Sequence, residues 1–228
     1  RTVVEAVFKC RNSFIFQRYK LPRRGTEIEV ETRVHWLEKD RMLKLSLPTL
    51  LKNSRYLGQT AFGVAELPAD GNEAVAQKWT AVVSEEDDFA LTCINEGIHG
   101  SDFLNGEARL SLLRSPAYSA DPVLSGPMVS QERYVPRIDQ GERLFRFWLN
   151  GGKRAARLNS VDREALLHNE KPLVLVFSPP GHGHRAQPFI ILSDDIVQVT
   201  ALKKTEVGPD LIIRLFEPTG EKKKTQVT

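Results

Sequence analysis

Hydrophobic and polar side chains alternate along many short stretches of this chain. In residues 27–33, for example, Ile28, Val30 and Thr32 alternate with charged residues. Successive side chains of a β-strand point to opposite faces, so this period of two indicates a half-buried strand. Similar stretches recur as far as residue 216, and turns rich in Gly, Pro, Asn and Asp separate them. Many short strands with little helix predict an all-β fold, namely a large antiparallel β-sandwich.

The predicted strands cover residues 3–8, 13–19, 28–32, 42–47, 56–67, 79–83, 89–94, 108–113, 143–149, 173–177, 190–192, 196–203 and 211–216. The polar residues 38–41 can form a hairpin turn that leads into the strand 42–47. One short helix is expected near residues 161–168, with Asn159 or Ser160 as N-cap and Lys171-Pro172 as its stop. Residues 118–136 are expected to form a long, exposed loop between two strands.

Charge and cysteine content exclude several classes of protein. The 228 residues include 32 Lys and Arg and 29 Asp and Glu, mixed along the chain, which argues against a nucleic-acid-binding surface. No apolar run is long enough to span a membrane. Cys10 and Cys93 do not suggest a disulfide framework, which is compatible with a reducing compartment. A cytoplasmic location is expected. Arg1 is not a natural start, and we expect a piece of a longer polypeptide.

Two imidazoles could in principle form a metal site. His182 and His184 are two residues apart and could bind zinc together with Asp194 or Asp195. The adjacent Pro and Gly residues give this loop no rigid support, however, and a preformed site needs such support. We therefore expect a polar turn and no metal site.

Carboxylates offer a second kind of chemistry. A retaining glycosidase needs two carboxyl groups about 5 Å apart. Glu96, Asp102 and Asp139 are candidates, but the sequence does not supply their distances, and acids in polar loops are usually solvated. No catalytic residue is therefore assigned.

Aromatic rings are a third candidate group. Exposed rings can stack on sugars, whereas rings at strand spacing more often belong to a core. We expect Trp36 and Trp79 to be buried and structural. The rings considered are Trp36, Trp79, Phe145, Phe147 and Trp148.

A turn-rich loop follows the strand at residues 89–94 and precedes the strand at residues 108–113. It concentrates donors, acceptors and an imidazole, including Asn95, His99 and Asp102. Loops held between rigid strands often carry function, although the same stretch is also an ordinary polar turn.

Several segments resemble, in order, the C-terminal region of glycoside hydrolase family 38, the α-mannosidases. They are VHWLEKDRMLKL (34–45), YLGQTAFG (56–63), AQKWTAVV (76–83), INEGIHGSD (94–102), LSLLRSP (110–116), DQGE (139–142), VTALKKTE (199–206) and LIIRLFEPTG (211–220). Each motif alone is weak, but the ordered series is fairly specific. The resemblance implies a galactose-mutarotase-like supersandwich, and the family continues beyond the position of Gly220, which leaves open whether the last strands are included.

The resemblance also implies a function. Residues 1–228 would be the C-terminal β-sandwich region of a retaining α-mannosidase that hydrolyses terminal α-linked mannose from an α-mannoside oligosaccharide. The nucleophile and zinc, or another divalent metal, would lie on an upstream catalytic α/β domain, which this region completes and stabilises. The isolated chain would then be inactive, with no nucleic-acid or membrane partner, and a homo-oligomer remains open. The alternatives are a stand-alone carbohydrate-binding sandwich without catalysis and a module that mediates oligomerisation.

Four residues are implied to contact substrate: Arg114, Asn95, His99 and Asp139. Some family members place an arginine of this region near the sugar, and Arg114 is its counterpart by segment matching, although it could also be an ordinary arginine at a strand end. The family loop often reads N-D-x-K-Y-G, so Ile98 and His99 replace its Lys-Tyr pair. This departure puts a sugar contact from that pair in doubt.

Overall fold

A computed structural model describes residues 1–117, 136–176, 178, 183 and 187–228. Its elements, in chain order, are β1 (Thr2–Cys10), β2 (Ser13–Leu21), β3 (Ile28–Trp36), β4 (Met42–Pro48), β5 (Arg55–Thr60), β6 (Gly63–Leu67), β7 (Ala74–Val75), β8 (Trp79–Ser84), β9 (Phe89–Asn95), β10 (Gly100–Leu104), β11 (Glu107–Arg114), β12 (Gly141–Lys153), α1 (Arg154–Asn169), β13 (Gln198–Lys204) and β14 (Leu211–Phe216).

The strands form antiparallel sheets, as the sequence predicts. Eight strands follow the order β1-β2-β3-β12-β9-β8-β5-β6, and four strands follow the order β4-β11-β10-β7. Strands β13 and β14 form a separate two-stranded sheet. The all-β sandwich fold is therefore confirmed.

The core of the sandwich lies between the eight-stranded and the four-stranded sheets. One cluster joins Val30, Val34 and Phe147 of the larger sheet to Leu110 of β11. A second cluster contains Tyr56, whose ring stacks on that of Phe103 at 5.2 Å between centroids. Burial of these apolar side chains contributes most of the free energy that holds the two sheets against each other, about 1.5–3 kcal/mol for each large residue.

Helix α1 covers the opposite face of the larger sheet, where Val161 and Ala165 pack against Trp79, Ala81 and Ile94. Strand β8 is therefore covered on both faces, and all six of its residues are buried. Among the described residues, no helix combines the length and hydrophobicity needed to cross a membrane.

The predicted start of the helix is wrong, because α1 begins at Arg154, directly after β12. Neither Asn159 nor Ser160 caps it; both lie inside the helix. Arg157, which is 7% exposed, stabilises the added part of the helix, because its guanidinium donates to both carboxylate oxygens of Glu164, at 2.9 and 2.6 Å. The end at Asn169, just before Lys171-Pro172, agrees with the prediction.

The expected hairpin at residues 38–41 is also wrong. Strand β3 pairs with β2 and β12, whereas β4 pairs with β11 in the other sheet, so these residues connect the two sheets. Glu38 is 6% exposed and accepts hydrogen bonds from Asn12 N (3.1 Å) and Ser13 Oγ (2.9 Å). These donors, which lie at the turn between β1 and β2, hold residue 38 against the larger sheet. The connection at residues 38–41 is therefore anchored and does not form a free hairpin turn.

Other strand predictions need smaller corrections. The expected strand at residues 56–67 divides into β5 and β6 at Phe62, which has a positive φ of 57°. Strands β7 and β10 were not predicted. Residues 173–176 form no strand and are exposed, and Phe177 lies outside the described residues. The predicted strand 190–192 is reduced to a single bridge between Leu192 and Val227.

Candidate functional site

An open cleft of about 450 Å³ lies at the end of β11 on the outer face of the four-stranded sheet, within the size range of small-molecule sites. Strand alternation produces this arrangement, because Leu110 points into the core while Ser111 points outward. Its lining includes Met42, Glu73, Gly100, Ser111, Arg114 and Asp139.

Arg114 and Asp139 meet at one end of this cleft. Arg114 is exposed and is the last residue of β11, and its backbone N–H donates to Asp139 Oδ2 at 3.2 Å. Within the described part of the chain, the Arg114 guanidinium makes no hydrogen bond or ion pair. It therefore presents N–H donors at the cleft.

The residue after Arg114 is held firmly. Ser115 is fully buried, and its Oγ accepts a hydrogen bond from Trp36 Nε1 at 3.1 Å. Its carbonyl accepts from Asp40 N at 2.7 Å, and its own N–H donates to the Arg41 carbonyl at 2.8 Å. The corner between the two sheets thus fixes the backbone that carries Arg114.

A carboxylate occupies another part of the cleft. Glu73 accepts hydrogen bonds from Lys44 Nζ at 2.6 Å and from Ser111 Oγ. Partial burial opposes ionisation of Glu73, but these donors outweigh it and lower the pKa of the carboxyl below its ordinary value. Burial likewise opposes the charge on Lys44, but hydrogen bonds to Asp102 and Glu73 raise its pKa. Both groups are therefore ionised at neutral pH.

The carboxylates considered for catalysis have separate partners. Asp102 is 2% exposed and lies between Lys44 and Arg109, whose Nε is 2.6 Å from Asp102 Oδ1. Glu96 pairs with Arg146 Nη1 at 3.1 Å. Asp102 and Glu96 are thus engaged in ion pairs.

The remaining two predicted site residues lie at either end of the connection between β9 and β10: Asn95 is the last residue of β9, and His99 directly precedes β10. Asn95 is 1% exposed; its Nδ2 donates to the Gln77 carbonyl at 3.2 Å, and its Oδ1 accepts from Ile98 N at 2.8 Å. Its side-chain amide therefore fixes the backbone at the start of the loop through these two hydrogen bonds. His99 is exposed, its Nδ1 lies 3.3 Å from the Ala76 carbonyl, and the next residue lines the cleft.

Sequence reasoning did not identify Glu73. It precedes a strand of only two residues, β7, and carries no motif that separates it from other surface acids. Its place in the cleft comes from the pairing of β7 with β10.

No group of three or more His, Cys, Asp or Glu residues that could hold a metal ion occurs in the described ranges. His182 and His184 lie outside the described residues. Cys10 is exposed and Cys93 is buried, and both are free thiols.

Fold and cleft together define an antiparallel β-sandwich domain with a polar cleft on an outer sheet face. The family model of the glycosyl hydrolases family 38 C-terminal domain matches residues 1–122, which run from β1 beyond Arg114. The chain belongs to this family.

Two curated relatives agree with this assignment. The chain is 26% identical over 208 residues to "Alpha-mannosidase G" of Dictyostelium discoideum, covering 86% of this chain and 17% of that protein. It is 25% identical over 204 residues to "Alpha-mannosidase 2C1" of Homo sapiens, covering 85% of this chain and 18% of that protein. The chain thus spans less than a fifth of the curated relatives that it matches.

The fold is shared with an α-mannosidase from Enterococcus faecalis V583, with a TM-score of 0.77 and 17% identity over 95% of this chain and 24% of that one. A second Enterococcus faecalis protein, of glycosyl hydrolase family 38, gives the same TM-score at 18% identity, again over 95% of this chain and over 25% of its own.

Proposed function

We propose that residues 1–228 form the C-terminal β-sandwich region of a longer retaining α-mannosidase that hydrolyses terminal α-linked mannose. The family match over residues 1–122 is the observation that carries this proposal. Both curated relatives are named α-mannosidases and align with most of this chain.

In this proposal, the cleft at the end of β11 forms part of the rim of the active site. The Arg114 guanidinium donates forked hydrogen bonds to hydroxyls of the bound sugar. Asp139 holds the Arg114 backbone and accepts from a hydroxyl, while exposed His99 contacts the sugar from the neighbouring loop. Asn95 acts indirectly by shaping that loop.

The chemical step would occur on an upstream domain. A retaining glycosidase uses one carboxylate as nucleophile and another carboxyl group as acid and base. We propose that these groups, and zinc or another divalent cation that binds sugar hydroxyls, belong to the upstream catalytic domain of the same protein. The described residues of this chain would position the substrate and stabilise the assembly.

We propose a cytoplasmic location, which the two free cysteines support because disulfides are rare in reducing compartments. Subcellular fractionation of the native protein tests this point, and recovery with secreted material would contradict it.

The proposed function is tested by Arg114→Ala in the enzyme that joins this chain to its catalytic domain. The substitution should lower kcat/KM for an α-mannoside roughly tenfold without changing the melting temperature. This decrease corresponds to a loss of about 1.4 kcal/mol of transition-state stabilisation. Arg55→Ala is the matched control, because Arg55 pairs with Glu66 and Glu85 on the larger sheet. Unaltered kinetics for Arg114→Ala would contradict a substrate contact, and a large loss of stability with normal kinetics would make Arg114 structural.

A stand-alone carbohydrate-binding module without catalysis is the alternative, and the donors and acceptors within one cleft of this chain favour it. Isothermal titration of the isolated chain with α-linked mannose oligosaccharides distinguishes the two. Saturable binding that Arg114→Ala abolishes would favour the module over the accessory region.

A further inference from the structure

Glu73 and Arg114 lie at different positions along the same cleft. Glu73 is hydrogen-bonded to Ser111, and Ser111 and Arg114 are three residues apart on β11. Strand β11 has a bulge directly after Ser111, so that Ser111 lies opposite Lys44 and Arg114 lies opposite Met42 on β4. These two positions of β4 are two residues apart, which at about 3.3 Å of rise per residue is a separation of about 7 Å. This is about the length of one sugar unit, so the two side chains suit neighbouring sugar units.

Glu73 is oriented before any ligand binds. Lys44 holds Oε2 at 2.6 Å, and Ser111 Oγ donates to Oε1. The carboxylate also depends on Gly100, because a Cβ added there would lie 2.7 Å from Glu73 Oε1. Each carboxylate oxygen can accept a further hydrogen bond, so a preorganised acceptor is available in the cleft.

The charges around the cleft indicate the ligand class. Glu73 and Asp139 would repel an anion, while Arg114 in the cleft and Lys44 behind Glu73 oppose a cation. A neutral ligand with several hydroxyl groups can use both the guanidinium donors and the carboxylate acceptors. This combination fits a carbohydrate.

We infer that Glu73 accepts hydrogen bonds from the sugar to which the cleaved mannose is linked. The inference rests on the proposed function, in which Arg114 contacts the cleaved mannose. Glu73 is then a specificity-determining residue for the leaving-group sugar, and the preferred substrates are α-linked mannose oligosaccharides rather than simple glycosides.

Two substrates test this assignment in the enzyme that joins the chain to its catalytic domain. In an α-linked mannobiose the leaving group is a sugar, whereas in 4-nitrophenyl α-mannoside it is not. Glu73→Gln should lower kcat/KM for mannobiose about tenfold and leave kcat/KM for the aryl mannoside unchanged. Gly100→Ala should act in the same direction by displacing Glu73.

Glu107→Gln is the matched control. Glu107 accepts a hydrogen bond from Ser46 and belongs to the same sheet, but it does not line the cleft. This variant should change neither substrate's kinetics.

Three other results would overturn the inference. Unchanged kinetics for Glu73→Gln with both substrates would remove Glu73 from recognition. An equal decrease in kcat/KM for both substrates would indicate that Glu73 contacts the cleaved mannose. An equal decrease together with a lower melting temperature would indicate a structural role. Arg114→Ala is measured in parallel. If it changes the kinetics with neither substrate, the proposed function itself fails. If it lowers kcat/KM while Glu73→Gln gives one of the three results above, only the assignment of Glu73 fails.

Discussion

The indole of Trp79 donates its Nε1–H to the carboxylate of Asp162, with 2.9 Å between Nε1 and Oδ1. Both residues are buried, with exposures of 1% and 4%. Gln59 Nε2 donates to the same oxygen at 2.6 Å, and Gln198 Nε2 donates to the other at 3.0 Å. One buried carboxylate thus connects β5, β8, α1 and β13.

Asp162→Asn should destabilise the chain by about 1–3 kcal/mol, because the new amide group must place a donor against existing donors. Urea unfolding followed by tryptophan fluorescence measures this loss. Asp195→Asn is the control, since the Asp195 side chain is 94% exposed and its ion pair with Arg163 lies at the surface. Equal stability of both variants would contradict a structural role for Asp162.

Trp36 should be structural rather than a sugar platform. It is 2% exposed and its Nε1 donates to Ser115 at 3.1 Å. Trp36→Ala should cost about 3–5 kcal/mol through the cavity it leaves. Trp36→Phe should cost less, because it retains most of the packing. Thermal unfolding measures both, and retained stability combined with loss of mannose binding would make the ring a ligand contact.

The two cysteines should differ in reactivity. Burial raises the pKa of the Cys93 thiol to about 12, so it forms almost no reactive thiolate at neutral pH. Cys10 is exposed. A chromogenic disulfide reagent should therefore detect one thiol in the native chain and two in denaturant. The variant Cys10→Ser should show no reactive thiol until it unfolds, and rapid native labelling of Cys93 would contradict its burial.

Stability should fall at alkaline pH. Burial raises the pKa of Cys93 from 9.0 to about 12 and that of Tyr56 from 10.0 to about 12. The unfolded chain therefore loses these protons first, and the folded state loses stability as pH rises from about 9 towards 12, by up to about 1.4 kcal/mol per pH unit for each group.

Tyr56→Phe isolates one of these contributions. Phenylalanine cannot ionise, so the decline of unfolding free energy above pH 10 should become shallower, although the hydrogen bond from Tyr56 to Ser101 is lost. Denaturant unfolding at several pH values measures the slope. An identical slope in both proteins would show that Tyr56 is not the titrating group.

The isolated chain should not hydrolyse α-mannosides. The described residues contain no metal-binding group of three or more side chains, and the acids Asp102 and Glu96 are held in separate ion pairs. An assay with a chromogenic α-mannoside, with and without added zinc or cobalt, measures turnover. Metal-stimulated hydrolysis by the pure chain would contradict this prediction, and activity restored only by the upstream domain would support it.

Local features of the sequence were sufficient for much of the fold. Alternation predicted most strands. Asn105-Gly106, a dipeptide typical of tight turns, forms the turn between β10 and β11, where both residues have positive φ values of 52° and 79°. The apolar surroundings of Trp36 and Trp79 predicted their burial. These features depend only on neighbouring residues in the chain, so they can be predicted without knowing which strands pair or pack together.

Partner choice was decided only in the tertiary structure. The polar residues 38–41 suit a hairpin locally, yet β3 and β4 enter different sheets because their inner faces jointly bury the core. Glu73 reaches the cleft through Ser111, 38 residues away, and Asp162 contacts Gln59 across 103 residues. Alternation specifies which face of a strand a side chain occupies, whereas the residues opposite that face depend on how distant strands pack together.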